Sequence, residues 1–405
     1  MAQLRVPGTH PDLASAVDAA QAGDTIVLEG EVDAHELRIR KPLSISGGRI
    51  KGQGQFALGL FDDIELTGIE LHHLGGHGVV IMGGSPTLRE LTLRVKGTAI
   101  ACGQQSTPSI HKVVVQGCSI GMTVQDQAQP RMEECQITSS GSGLFFTSSA
   151  GGLVASTAIS AGKMAAIEVG GQANPSLAGV AVVAGAAGGF FIHDQATPKL
   201  AGCIVQRTAL AGMEVDGAAN PTVDAFLVKD GMGGGLFLHG KSTGTYMEVE
   251  VHGCALSAVE ISEHASPDLE RMLLKGGGGG GLYIHGNAKV EVLELRVDGV
   301  AFQAVEVGDE AELSLEDSKL LGSGSFGVLA QARGKLQLTR CEVSGGQDWG
   351  IRVQDAAVVG MIGGAVRDNH MGAVRGSGGG QVVLAEGAVL SGVKTMTERA
   401  GVVEA

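Results

Sequence analysis

Ala166-Ile167-Glu168-Val169 returns as Gly212-Met213-Glu214-Val215, then as Ala258-Val259-Glu260-Ile261 and Ala304-Val305-Glu306-Val307. The four glutamates stand 46 residues apart. Between them falls a second motif, Phe190-Phe191-Ile192-His193, Leu236-Phe237-Leu238-His239 and Leu282-Tyr283-Ile284-His285, with the same spacing. Merged, the two motifs alternate Glu and His every 21 to 25 residues. The unit is therefore one coil of about 23 residues, and coils come in unlike pairs. A fixed period of that size is the signature of a solenoid.

Proline keeps the same register outside this stretch: Pro86, Pro108, Pro130, Pro175, Pro198, Pro221 and Pro267 fall one or two coils apart. Short alternating strands joined by Gly-, Asn- and Pro-rich corners, and never by hairpin dipeptides, point to parallel stacking from coil to coil. The repeat runs from about Gly54 to Gly372, roughly 14 coils at ~4.8 Å each. The 66 glycines, without a collagen period, fit a chain of tight corners. Ahead of the repeat, Asp12 is a helix N-cap for Leu13-Ala14-Ser15-Ala16-Val17-Asp18-Ala19-Ala20, whose apolar residues have helical spacing. The expected organisation is an opening strand and capping helix over 1–50, a β-helix over 51–375, and a last strand with a C-terminal cap or tail over 376–405.

Two stretches carry a family resemblance. Val6-Pro7-Gly8-Thr9-His10-Pro11-Asp12-Leu13, followed by Ala22-Gly23-Asp24-Thr25-Ile26, resembles the start of right-handed parallel β-helix proteins of the pectate-lyase-like superfamily. Gly188-Gly189-Phe190-Phe191-Ile192-His193-Asp194 and its copies at 234–240 and 280–286 resemble carbohydrate-binding and sugar-hydrolase repeats. Such repeats occur in an animal F-box substrate receptor and in bacterial relatives. The resemblance implies an all-β, right-handed parallel β-helix with three sheets per coil and a helix plugging its first coil. It implies no single activity, because enzymes and inert binding modules share this repeat.

Charge and motifs exclude several functions. A net charge of −14 argues against a nucleic-acid groove or an anionic membrane surface, and disfavours a strongly acidic polymer as ligand. The six cysteines are scattered, with no C-x-x-C pair, and read as small buried thiols in a reducing compartment. The N-terminus has no apolar signal region and no run approaches a membrane span, so a cytoplasmic protein is expected. Asp62-Asp63 and Gly76-His77-Gly78 follow the order of polygalacturonase motifs, but only 14 residues separate them and no Asn-Thr-Asp precedes them. No carboxylate cluster with a neighbouring base suggests a lyase. His72, His73 and His77 lack ligand partners at useful spacing, so no metal is expected. No P-loop, dinucleotide fingerprint or nucleophile elbow appears, so no cofactor is expected.

The ladder remains as the candidate site. Strand alternation turns Ile167, Ile192, Met213, Leu238, Val259, Ile284 and Val305 inward. One outward column then reads Glu168, His193, Glu214, His239, Glu260, His285 and Glu306. The other reads Phe145, Ala166, Phe191, Gly212, Phe237, Ala258, Tyr283 and Ala304. Such alternation also avoids stacking like charges and packs a flat sheet. Aromatic residues are only 3% of the chain, so their gathering on one face marks a recognition surface. The reading favours a non-catalytic recognition or scaffolding rod that binds a protein partner, or a second copy of itself. The alternative is a protein that binds or degrades a neutral polysaccharide, whose extended disaccharide repeat resembles the ~9.6 Å between alternate rungs.

Overall fold

The structure, a computed structural model, describes residues 2–396 and 400–404. It is an all-β, right-handed parallel β-solenoid of about 17 turns. Every strand pairing given by residue register is parallel, coil on coil, as in Thr87–Arg89 with Ser109–His111 and then Arg131–Glu133. The chain forms two compact units. The first comprises residues up to Phe191 together with Gln195–Lys199; the second comprises Ile192–Asp194 and Leu200 onward.

In the first unit, the helix Leu13–Ala19 is capped by Asp12, whose carboxylate accepts the Ser15 N–H at 2.7 Å. Leu13, Ala16 and Val17 are buried on the helix's inner face. The strand Gln3–Val6 pairs with Thr25–Leu28, which pairs with Ser44–Ser46. These opening strands are thus already coils. Past Gly376 the chain adds Gln381–Ala385, Val389–Leu390, Lys394–Met396 and Gly401–Glu404 to the same ladders. Both ends therefore raise the count above the 14 expected from the repeat alone. Residues 397–399 and 405 of the expected tail lie outside the described residues.

Many of the corners use a residue in the left-handed region. At one of these corners, between consecutive strands, the position is filled by Glu90, Lys112, Glu134 and Ser156 in the first unit. In the second it is filled by Ala225, Glu248, Arg271, Glu294, Asp317 and Arg340, with φ of 47° to 58° across both sets. A side chain there costs roughly 1–2 kcal/mol, which explains why glycine takes over at so many corners. The rung step is 22 residues from Glu65 to Leu153 and 23 from there to Ser176. In the second unit it is 23 along Thr245, Asp268, Glu291 and Ser314, and changes to 24 and 20 only in the last coils.

The core is a set of aliphatic columns. In the second unit one runs Leu236, Val259, Leu282, Val305 and Val328, and another runs Leu238, Ile261, Ile284, Val307 and Ala330, all buried. Burying each large aliphatic side chain contributes about 1.5–3 kcal/mol, repeated at every coil. All six cysteines are free and buried within this core.

Candidate recognition face

The short strands Met213–Val215, Leu236–Leu238, Val259–Ile261, Leu282–Ile284 and Val305–Val307 lie side by side in the second unit. Each has a buried–half-buried–buried pattern, so only its middle residue faces outward. The outward rungs are Glu214, Phe237, Glu260, Tyr283 and Glu306, in direct register. The same column continues through Leu329 and Arg352 to Arg375.

This register corrects the expected columns. Glutamate alternates with an aromatic ring, not with histidine. In the first unit Phe145 likewise pairs with Glu168, and Phe191 is half-buried on the strand Phe190–Ile192. The histidines sit just past the strand ends, one step along the chain direction. His239 stacks on Phe237 with ring centres 4.3 Å apart, and His285 stacks on Tyr283 at 4.5 Å. His239 places Nε2 3.3 Å from Glu214 and Nδ1 3.3 Å from Asp216. His285 places Nε2 3.1 Å from Glu260 and Nδ1 3.9 Å from Asp309. His193 has Nδ1 3.1 Å from Asp194. The expected partners, two glutamates per histidine, are therefore replaced in His239 and His285 by one glutamate and one aspartate.

The small residues expected to point outward are buried: Ala166, Gly212, Ala258 and Ala304. Each precedes its three-residue strand, where the chain is already turning and strand alternation no longer holds. Backbone packs on backbone there. A Cβ on Gly235 would meet the Ala258 carbonyl oxygen at 2.3 Å, and one on Gly281 would meet that of Ala304 at 2.3 Å.

A column that sequence reasoning missed runs along the corner. Leu210, Leu256 and Phe302 precede their glutamates by four residues and are 56%, 63% and 56% exposed. Gly233 and Gly279 take the same place on the aromatic coils, and accept hydrogen bonds from the Leu256 and Phe302 N–H groups at 3.2 Å. The signal was available, since these residues also recur every 46 positions. Large corner residues thus alternate with glycines, while rings and glutamates alternate beside them in the opposite phase.

The result is a slot of about 440 Å³ over Gly278–Gly280, walled by Leu256, Phe302 and Tyr283 and flanked by Glu260 and Glu306. The imidazole of His285, stacked on the Tyr283 ring, is not among the residues that line the slot. Glu306 accepts from Gln331 at 2.8 Å, and Gln331 accepts from Gln354 at 3.0 Å. Arg352 donates to Gln354 at 3.2 Å while lying over the Phe326 ring. Burial pushes the Glu306 carboxyl above the usual range, with nearby His285 opposing. Burial also raises the Tyr283 phenol, and the charges of Glu306, Asp309 and Glu260 add to it.

A broader concavity of about 890 Å³ lies on the longer strands of the same unit, along Asp268, Glu291, Ser314 and Gln337. Its lysines are committed: Lys289 and Lys335 both pair with Glu312. It contains no ring, and the slot beside Tyr283 has the more specific chemistry.

Elsewhere, the polygalacturonase-like residues do not converge. Asp62 accepts the Asp63 N–H at 2.8 Å, Asp63 accepts the N–H of Ser85 on the next coil at 2.7 Å, and His77 accepts the Thr98 N–H at 2.9 Å. His72 and His73 are neighbours on one strand and point to opposite faces, His72 outward to Glu70 and His73 into the core. Among the described residues no three His, Cys, Asp or Glu side chains gather as metal ligands, and no helix is long and apolar enough to cross a membrane.

These features define a right-handed parallel β-helix repeat protein. Residues 98–256 match the family described as the right handed beta helix region. Comparison with curated proteins gave no match. Among solved structures, the periplasmic alginate epimerase AlgG is 10% identical at a TM-score of 0.41, over 91% of this chain and 78% of that one. The catalytic unit of a GH87 α-1,3-glucanase from Streptomyces thermodiastaticus is 13% identical at 0.33, over 96% and 64%. The receptor-binding tailspike of bacteriophage Det7 is 9% identical at 0.30, over 98% and 76%. At such values these likenesses carry no argument about what this chain binds.

Proposed function

We propose that the outward face of the short strands in the second unit binds an extended polysaccharide without cleaving it. The observation that carries this reading is the slot: the Tyr283 ring between two carboxylates, beside a run of glycines. A pyranose ring has an apolar carbon–hydrogen face suited to stacking on Tyr283 or Phe237, and a rim of hydroxyls that donate to Glu260, Glu306 or Glu214. Few polar groups around an apolar wall is the usual make-up of a small-ligand site. Alternate rungs place the two rings ~9.6 Å apart, close to two sugar residues. Repetition of the same element favours binding over catalysis, because a reaction centre needs one distinguished pair of groups and the ladder repeats its pairs.

Double replacement of Phe237 and Tyr283 by serine tests this reading. The protein should lose retention on insoluble polysaccharide while its thermal unfolding stays that of the parent. Retention equal to the parent's would refute the proposal. A second reading, a protein partner or a second copy, is favoured by one observation: the exposure of Leu210, Leu256 and Phe302. It predicts that Leu256→Ser with Phe302→Ser shifts the sedimentation of the parent or removes a bound protein, and it fails if neither changes.

A further inference from the structure

The carboxylates on this face have few cations to meet. The five short strands from Met213 to Val307 contain no lysine or arginine. Their outward rungs are three glutamates and two rings. Asp216 and Asp309 add two further carboxylates at the strand ends, beside His239 and His285. The histidines contact Glu214 and Glu260, whereas Glu306 receives only the neutral amide of Gln331 as its hydrogen-bond donor. Arg352 lies two rungs beyond, engaged with Gln354 and the Phe326 ring.

We propose that the polysaccharide taken by this face carries amino groups: a polymer of 2-amino-2-deoxyhexose units, whose ammonium groups pair with the ladder glutamates. This rests on the polysaccharide reading above and narrows it. Acidic polymers meet repulsion at every second rung. Neutral sugars stack equally well but leave the carboxylates uncompensated. An amino sugar satisfies both parts of the slot at once. Its apolar face covers Tyr283, and its ammonium lies within reach of Glu260 or Glu306, one strand spacing of ~4.8 Å to either side. A cation beside an aromatic face gains further from the ring's negative face. Since rings alternate with glutamates along the stack, the pattern suits a chain in which stacked and paired units also alternate. The burial-raised Glu306 carboxyl fits this role, because a cation brought into the slot restores its ionised form.

The test uses the full chain and three hexamers of equal length, of glucosamine, N-acetylglucosamine and glucose in β-1,4 linkage, at a pH where the amines are charged. Titration calorimetry should show the glucosamine hexamer binding at least about tenfold more tightly than the glucose hexamer. That preference should collapse at about 0.5 M salt, where charge pairs at the surface are screened. In Glu260→Gln with Glu306→Gln the ratio between the two hexamers should fall to about one. Equal or weaker binding of the glucosamine hexamer, or a preference unmoved by salt or by the double variant, would overturn the amino-sugar inference while leaving polysaccharide binding intact. Failure of all three hexamers to bind would overturn the polysaccharide reading itself, and this inference with it.

Discussion

At the scale of single residues, the chain carries a few polar atoms in places that elementary electrostatics disfavours. Tyr246 stands in an otherwise aliphatic core column between Val223 and Leu269 and is 1% exposed. Its hydroxyl has no hydrogen-bond partner, and burial pushes its ionisation far up. Removing an unsatisfied buried hydroxyl should stabilise, so Tyr246→Phe is expected to gain about 1 kcal/mol in denaturant unfolding. A loss of stability would show that the hydroxyl is satisfied. His73 is the second case. It is buried, and its Nδ1 accepts the Gly75 and Gly76 N–H groups at 3.2 and 3.1 Å. Burial lowers its folded pKa below the ordinary 6.5, and His77 adds to the effect. The folded state then binds fewer protons than the unfolded chain below that value. Stability is therefore present above the unfolded pKa and is lost as pH falls from it toward the folded one. Denaturation midpoints should drop between neutral and mildly acidic pH, and His73→Gln should drop less. A pH profile identical in the two proteins would remove His73 as the cause.

The elements show where reading from sequence succeeded and where it stopped. Inward and outward positions of the short strands were legible, because a period of two sorts side chains without knowledge of neighbours. The rung partners were not. Matching Ile192 to Ile167 instead of Phe190 slips the histidine coils by two residues. A slip of two leaves every residue on its proper face, so the core columns survive while Glu acquires the wrong neighbour. Only the backbone hydrogen bonds between coils fix the register, and no single coil displays them. The small residues failed for a different reason: Ala166, Gly212, Ala258 and Ala304 lie one residue before the strand, where the corner has begun. Two glycines separate space from strain in these corners. Gly281 has no room, with a backbone oxygen 2.3 Å from a would-be Cβ, whereas Gly299 has open space but φ of +68°. Gly281→Ala should cost several kcal/mol and Gly299→Ala only about 1 kcal/mol, read from chemical denaturation. Equal costs would contradict the account of the small-residue column as close backbone packing.

For the whole molecule, length, glycine content and the 46-residue period were enough to give the fold class, because every coil repeats the same few constraints. Function was far less legible. Net charge of −14 argued against acidic ligands but could not show that the five short strands from Met213 to Val307, which lack basic residues, lie side by side. The exposed Leu256 and Phe302 carry no motif of their own and gain meaning only from their place beside Tyr283. The central claim is that the slot beside Tyr283 and the neighbouring Phe237 ring are where the ligand lies. Amide hydrogen exchange of the full chain, with and without the hexamer that binds most tightly, tests this most directly. The account predicts slower exchange in Gly231–Gly235 and Gly276–Gly281 and in the short strands beside them. Protection confined to the longer strands around Asp268, Glu291 and Ser314, or absent altogether at saturating ligand, would contradict it.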